Sequence, residues 1–218
     1  MITLKDLIQK AQNKEIREAI LEVYTKMQPS VHFSMDFYRR VLLDMTNDFV
    51  SFRTLLGAYA QFTNPAYYLE VGTRRGHSAC VVAKCSPKTK IFCFDIFTPD
   101  YGGERNDQKL AESELAKFNC SATFFTEDSK KAIPTFFQNN NLLIDAILID
   151  GDHSAQGALA DLKNVIEHIS VGGLLILDDL NEGTLHPTWL NFISTHPNFE
   201  HVENTKHEFG WGAALRIS

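Results

Sequence analysis

The sequence predicts an α/β fold: a doubly wound, mostly parallel sheet behind a helical N-terminal third. Three observations predict it. From Tyr67 onward, short apolar runs alternate with helical segments. Runs such as Ala146-Ile147-Leu148-Ile149 and Leu174-Leu175-Ile176-Leu177 are apolar throughout, as expected of strands covered on both faces. The first run passes straight into a loop with two glycines, Glu70-Val71-Gly72-Thr73-Arg74-Arg75-Gly76, and then into a helix start.

The elements follow in order. In residues 1–62, Ile16, Ala19, Ile20, Val23 and Met27 keep helical spacing. Val41, Leu42 and Met45 suggest a second amphipathic piece, and Phe49, Phe52, Leu55, Leu56 and Tyr59 a third, with Pro29 as punctuation. This segment's apolar stripe needs a partner, either as a cap over a substrate site or as a homodimer interface. Residues 63–218 form the α/β domain. Its strands are expected at 67–71, 90–95, 122–126, 144–149, 173–177, 199–203 and 212–217, and its helices at 76–85, 107–118, 129–139, 154–169 and 187–196. Val171-Gly172-Gly173 reads as a tight helix-to-strand turn. The last two runs have a short connection and form an antiparallel hairpin.

Composition narrows the function. With 44% hydrophobic and 22% charged residues, the chain reads as a soluble globular protein. Its net charge of −6 and lack of a Lys/Arg run disfavour nucleic acid as a partner. Cys80, Cys85, Cys93 and Cys120 form no C-x-x-C pair, which argues for free thiols in a reducing compartment and against zinc. Lys5, Asp6, Lys10 and Lys14 interrupt the N-terminus, so no signal peptide is read there. No apolar run reaches the ~20 residues that span a bilayer. Cytoplasmic localisation without membrane contact is the expectation.

Ligands of such sheets bind beyond the carboxyl ends of the strands. Gly72 and Gly76 let the backbone approach a ligand there, and the helix beginning near Gly76 points free N–H groups into the crevice. The G-x-x-x-G spacing is not the G-x-G-x-x-G of dinucleotide sites. Glu70, just before the loop, suits an amine-bearing ligand. Asp95, ending the second strand, suits a ribose diol, and Asp128, after the third, an adenine amino group. S-adenosylmethionine combines all three features.

A second group of acids closes the later strands. Asp150 ends the fourth and Asp178 the fifth, with Asp152 and Asp179 just beyond. Adjacent strands lie about 4.8 Å apart, so these carboxylates repel unless one is protonated or a cation is bound. An all-oxygen donor set suits Mg²⁺. A bound divalent ion would lower the pKa of an acceptor hydroxyl, and a neighbouring carboxylate or imidazole would accept its proton. Asp152-His153-Ser154 also reads as the N-cap of the following helix.

Glu70-Val71-Gly72 to Gly76-x-Ser78, Phe94-Asp95, Glu127-Asp128-Ser129, Ile149-Asp150-Gly151-Asp152-His153-Ser154 and Leu177-Asp178-Asp179 together resemble class I S-adenosylmethionine-dependent methyltransferases. Within that class they look most like the metal-dependent macrolide and aminocoumarin sugar O-methyltransferases. The resemblance covers residues 67–217. It implies a Rossmann-like methyltransferase sheet of seven strands, with an antiparallel seventh strand inserted between the fifth and sixth. It implies cofactor contacts from Glu70, Gly72, Thr73, Gly76 and Ser78 at the methionine end, Asp95 at the ribose, Asp128 and Ser129 at the adenine, and Asp150 nearby. It implies magnesium on Asp150, Asp178 and Asp179, and a general base at Asp152 or His153; the unperturbed imidazole pKa favours His153. The Arg74-Arg75 pair departs from the small or polar residues expected in the loop. The function implied is methyl transfer to a hydroxyl of a small molecule, a sugar or diol. The alternatives are a metal-independent enzyme acting on nitrogen or a macromolecule, and a non-catalytic cofactor-binding module.

Overall fold

The computed structural model describes residues 2–29, 35–44, 48–99, 105–206 and 209–218, with the side chains of 35–38 left aside. Four helices come first: α1 (Leu4–Ala11), α2 (Lys14–Lys26), α3 (Met35–Leu43) and α4 (Phe52–Thr63). Ser51 and Thr54 form a reciprocal capping box that starts α4, and Asn64 in the left-handed region followed by Pro65 ends it. The buried Arg17 guanidinium of α2 donates to the Asp44 and Val41 carbonyls (2.6 and 3.4 Å), covering the C-terminal end of α3. Met45 of the second expected amphipathic piece lies outside the described residues.

The alternating part follows as β1 (Tyr67–Val71), α5 (His77–Cys85), β2 (Lys90–Phe94), α6 (Gln108–Ala116), β3 (Ala122–Phe125), α7 (Ser129–Asn139), β4 (Ile144–Ile149), α8 (Ala155–Val165), a 3₁₀ turn (Ile166–His168), β5 (Ile169–Asp178), α9 (Leu185–Ile193), β6 (Phe199–Asn204) and β7 (Trp211–Arg216). The strands form one sheet in the order β3-β2-β1-β4-β5-β7-β6. β7 is antiparallel to both β5 and β6 and sits between them, as the resemblance implied.

Strand periodicity divides the core in two. Tyr68, Cys93, Leu148 and Ile176 face a cluster shared with α1, α2, α4 and α5. Their neighbours Leu69, Phe94, Ile147 and Leu175 face a second cluster built with α7, α8 and α9. Side chains of a strand alternate between faces, so a run that is apolar throughout is the signature of this two-sided burial. The N-terminal helices therefore supply one of the sheet's two covering layers.

One expected turn is something else. β5 begins at Ile169, before the Val171-Gly172-Gly173 stretch, which lies inside the strand. Ile144 pairs with Ile169 but Ala146 with Leu174, so β5 bulges there, with Gly172 at φ +83°. The bulge is latched from the other layer by Tyr59, whose hydroxyl donates to the Gly172 carbonyl at 3.0 Å. A β-bulge with a left-handed glycine absorbs extra residues without breaking the sheet. Among the described residues no helix is long and apolar enough to cross a membrane.

Candidate active site

The rim at the carboxyl ends of β1, β2 and β4 is built by close backbone approach. Gly72, at φ +85°, donates its N–H to the Phe94 carbonyl (2.8 Å), and a Cβ there would stand 1.7 Å from the Asp150 carbonyl oxygen. Only glycine fits where the loop crosses the end of β4. Gly76, at φ +79°, is the N-cap of α5 and carries no side chain to cap it.

Two acids frame this loop differently. Asp95, half-buried, accepts the Arg74 N–H on one oxygen (2.5 Å) and the Phe97 N–H on the other (2.6 Å). Burial pushes its pKa up, and those two amide hydrogen bonds oppose the shift. Glu70 is fully buried. It accepts from the Tyr68 hydroxyl at 2.8 Å and from the Cys93 thiol at 3.6 Å. Burial pushes its pKa up to about 7, against the hydrogen bonds of Tyr68, Thr73, Ser78 and Cys93. The sequence reading put Glu70 against the methionine moiety. In the structure it is buried beneath the loop, on the strand face shared with Tyr68 and Cys93. Thr73 and Ser78 are buried at the same end of the loop.

On the β3 side, Asp128 caps α7 by accepting the Lys130 N–H at 2.9 Å. The half-buried Ser129 donates its hydroxyl to Asp161 of α8 at 2.7 Å. Lys130 reaches Asp152 at 2.8 Å. These two contacts draw the start of α7 against the loop that follows β4.

That loop carries the second half of the site. Donor atoms of Asp150, His153 and Asp179 all lie within 4.8 Å of one another. His153 Nε2 is 3.1 Å from Asp179 and 3.5 Å from Asp150, and its Nδ1 is 3.0 Å from Glu182. The Asp150 hydrogen bond and the surrounding carboxylates raise the imidazole pKa to about 9, against the cost of burial. Burial and the Asp150 charge push the Asp179 pKa up. Asp179 adopts φ +60°, turning the chain out of β5, and the Glu182 N–H to Asp179 carbonyl bond (2.8 Å) closes the turn. His153, rather than the expected Asp178, completes this converging trio. Asp178 stays at the tip of β5, where burial and then the charges of Asp150 and Asp179 raise its pKa.

Asp152 points elsewhere. Its oxygens accept from Lys130 Nζ (2.8 Å) and the Ser154 N–H (3.0 Å), and the Lys130 hydrogen bond leads in lowering its pKa to about 2. Its carboxyl lies over Gly157, where a Cβ would stand 2.1 Å from it. Ser154 is the N-cap of α8, accepting the Gly157 N–H at 3.0 Å. Nearby aromatic side chains pack inward: Phe97 is buried, and the buried Trp211 donates its indole N–H to the Val50 carbonyl at 2.9 Å. Sequence reasoning missed Glu182, Asp161 and Lys130. Each acts through a contact across 22 to 32 positions of sequence, and no local spacing announces that.

Fold and rim together define an α/β protein with a glycine loop at the strand ends beside a carboxylate–imidazole cluster. Residues 69–180, just over half of the chain, match the family described as a methyltransferase domain, and the chain belongs to that family. No curated protein sequence matches it significantly. Among solved structures it is similar to an O-methyltransferase from Bacillus cereus in complex with S-adenosylhomocysteine (SAH). The TM-score is 0.63 and the identity 15%, over 93% of this chain and 90% of that one. It is similar to the O-methyltransferase TomG from Streptomyces achromogenes in complex with S-adenosylmethionine (TM-score 0.61, 13% identity, 92% of this chain and 90% of that one). It is also similar to an rRNA methylase from Streptococcus thermophilus (TM-score 0.55, 8% identity, 74% of this chain and 94% of that one). At these identities the likeness is one of fold.

Proposed function

We propose that this methyltransferase uses S-adenosylmethionine to methylate a hydroxyl of a small sugar- or diol-like molecule, assisted by a divalent ion such as Mg²⁺. One observation carries the reading. The glycine loop and Asp95 share one strand-end rim with Asp150, His153 and Asp179, since Gly72 is in backbone contact with Asp150 itself. A methyl donor held by the first half would lie beside an acceptor held by the second. The cofactor supplies an electrophilic methyl group when bound. Gly72, Thr73, Gly76 and Ser78 shape the methionine end with Glu70 beneath them, Asp95 receives the ribose, and Asp128 with Ser129 receives the adenine.

Asp150 and Asp179 are hard oxygen donors that would hold a divalent ion of the Mg²⁺ or Mn²⁺ type, with the His153 imidazole beside them. Asp178, at the neighbouring strand tip, adds negative charge to the same end. When bound, the ion supplies Lewis acidity that makes an acceptor hydroxyl more acidic. His153 would accept the proton: Asp152 is committed to Lys130 and held as a weakly basic carboxylate, and an ion on Asp150 and Asp179 would lower the imidazole pKa from about 9 by charge repulsion. Positioning by the loop and exclusion of water supply the rest of the acceleration. The N-terminal helices are proposed as a cap on this site. Arg75 supports that role by donating to the Gln28 and Pro29 carbonyls (3.2 and 3.0 Å), which ties the exit of α2 to the glycine loop.

Calorimetry with SAH tests the reading. Micromolar binding by the unmodified protein is expected, weakened at least tenfold in Asp95→Ala. Absence of binding by the unmodified protein would overturn it. One observation favours a second reading, metal-independent transfer to nitrogen or a macromolecule. The His153 imidazole already lies between the carboxylates of Asp150 and Asp179 and balances their charge. Chelator-insensitive turnover would select that reading.

A further inference from the structure

We propose that Asp161 sets the donor–acceptor polarity of the adenine end of the crevice by holding the Ser129 hydroxyl proton, making the site selective for a 6-aminopurine over a 6-oxopurine. The inference rests on the reading above, in which the adenine of S-adenosylmethionine lies against Asp128 and Ser129.

Asp161 belongs to α8, 32 positions beyond Ser129, and is 0% exposed. One of its carboxylate oxygens accepts the Ser129 hydroxyl at 2.7 Å. The other is buried without a hydrogen-bond partner, and lies 3.8 Å from where a Cβ on Gly151 would stand, facing the loop at the end of β4. A carboxylate cannot donate a hydrogen bond. The Ser129 proton is therefore directed inward, and only the oxygen lone pairs of that hydroxyl face the crevice.

The rest of this corner follows the same pattern. Ser129 is the first residue of α7, where the backbone N–H has no intrahelical acceptor. Asp128 spends one oxygen on the Lys130 N–H and keeps the other. The corner thus offers one N–H donor flanked by oxygen acceptors. Adenine presents the complement, with ring N1 as acceptor and the exocyclic amine as donor. Hypoxanthine presents the reverse, an N1–H donor and a 6-oxo acceptor, and would face acceptors with a carbonyl. A site whose polar groups are left unpaired by the wrong ligand discriminates strongly against it. Burial raises the Asp161 pKa to about 6, with the Ser129 hydrogen bond and the Lys130 charge opposing the shift. The carboxylate is therefore ionised at pH 8.

The test is calorimetry at pH 8 with SAH and with its deaminated analogue S-inosylhomocysteine. The unmodified protein is expected to prefer the amino compound by about 30-fold or more. In Asp161→Asn the amide can donate to Ser129 and release the hydroxyl proton into the crevice, so the preference should shrink to about threefold, with weaker SAH binding and tighter binding of the inosyl compound. Ser129→Ala removes the hydroxyl without touching the α8 carboxylate, and should lower the preference to a similar extent even if Asp161→Asn folds poorly. SAH binding with an unchanged preference in either folded variant overturns the Asp161 assignment alone. Failure of the unmodified protein to bind SAH overturns the functional reading, and the assignment with it.

Discussion

The two halves of the crevice are held by different forces. On the β1–β2 side the backbone does the holding: Asp95 is pinned by two amide N–H groups, and Gly72 lies against the Asp150 carbonyl. On the β4–β5 side side-chain charges hold one another, with His153 surrounded by Asp150, Asp179 and Glu182. Backbone contacts fix a shape whatever the solution conditions, whereas charged contacts change with pH and with bound cations. Under the proposed function, the half that would hold the cofactor is fixed by backbone hydrogen bonds and close packing, and the half that would hold the ion and acceptor is responsive.

Substitutions break this contrast in order of expected size. Gly72→Ala combines a left-handed φ with a collision against the Asp150 backbone. It should destabilise the fold by about 4 kcal/mol or more and abolish SAH binding, as seen by thermal unfolding and calorimetry. Glu70→Gln comes next. Glu70 titrates near 7 in the fold and near 4.5 in the unfolded chain. Its raised pKa contributes stability that is full below pH 4.5 and is lost as pH rises through 7. Replacing it with glutamine should therefore gain on the unmodified protein by about 3 kcal/mol between pH 4 and pH 8, read from paired melting curves. A flat difference across that range would show that burial does not raise the Glu70 pKa in the fold.

Asp179→Asn probes the responsive half. Mn²⁺ binding, followed by electron paramagnetic resonance, should weaken by about tenfold or more, while SAH affinity stays within about twofold. Equal loss of both would mean that the halves are not separable. The smallest effect belongs to Asp152→Asn. Asp152 is 41% exposed and its pair with Lys130 is screened by solvent, so the loss should be about 0.5 kcal/mol. Because the Asp152 pKa is depressed to about 2, that contribution exists above pH 3.8 and disappears as pH falls toward 2.

The contrast also explains what could be read in the sequence. The sheet was legible because two-sided burial writes itself as continuous apolar runs, and β1, β4 and α7 fall at the expected residues. The glycine loop was legible because close approach admits one residue type. The bulge in β5 was not, since Val171-Gly172-Gly173 has the same composition as a turn and only its pairing with β4 distinguishes them. Asp178 and His153 could not be ranked, because which side chain converges on Asp150 depends on the twist of the chain at Asp179. The acidity of Glu70 was visible in the sequence, whereas its full burial against Tyr68 and Cys93 was not.

Arg75 gives one of these features a mechanical consequence. The residue that departs from the expected loop composition is bolted through its guanidinium to two carbonyls 46 and 47 positions earlier. Gln28 in turn donates its N–H to the buried Glu114 of α6 at 3.2 Å. Three separate stretches of chain are thereby riveted at one corner. Displacement of the glycine loop would be transmitted to the exit of α2, so a fluorophore attached at Gln28 would register a change made at Arg75.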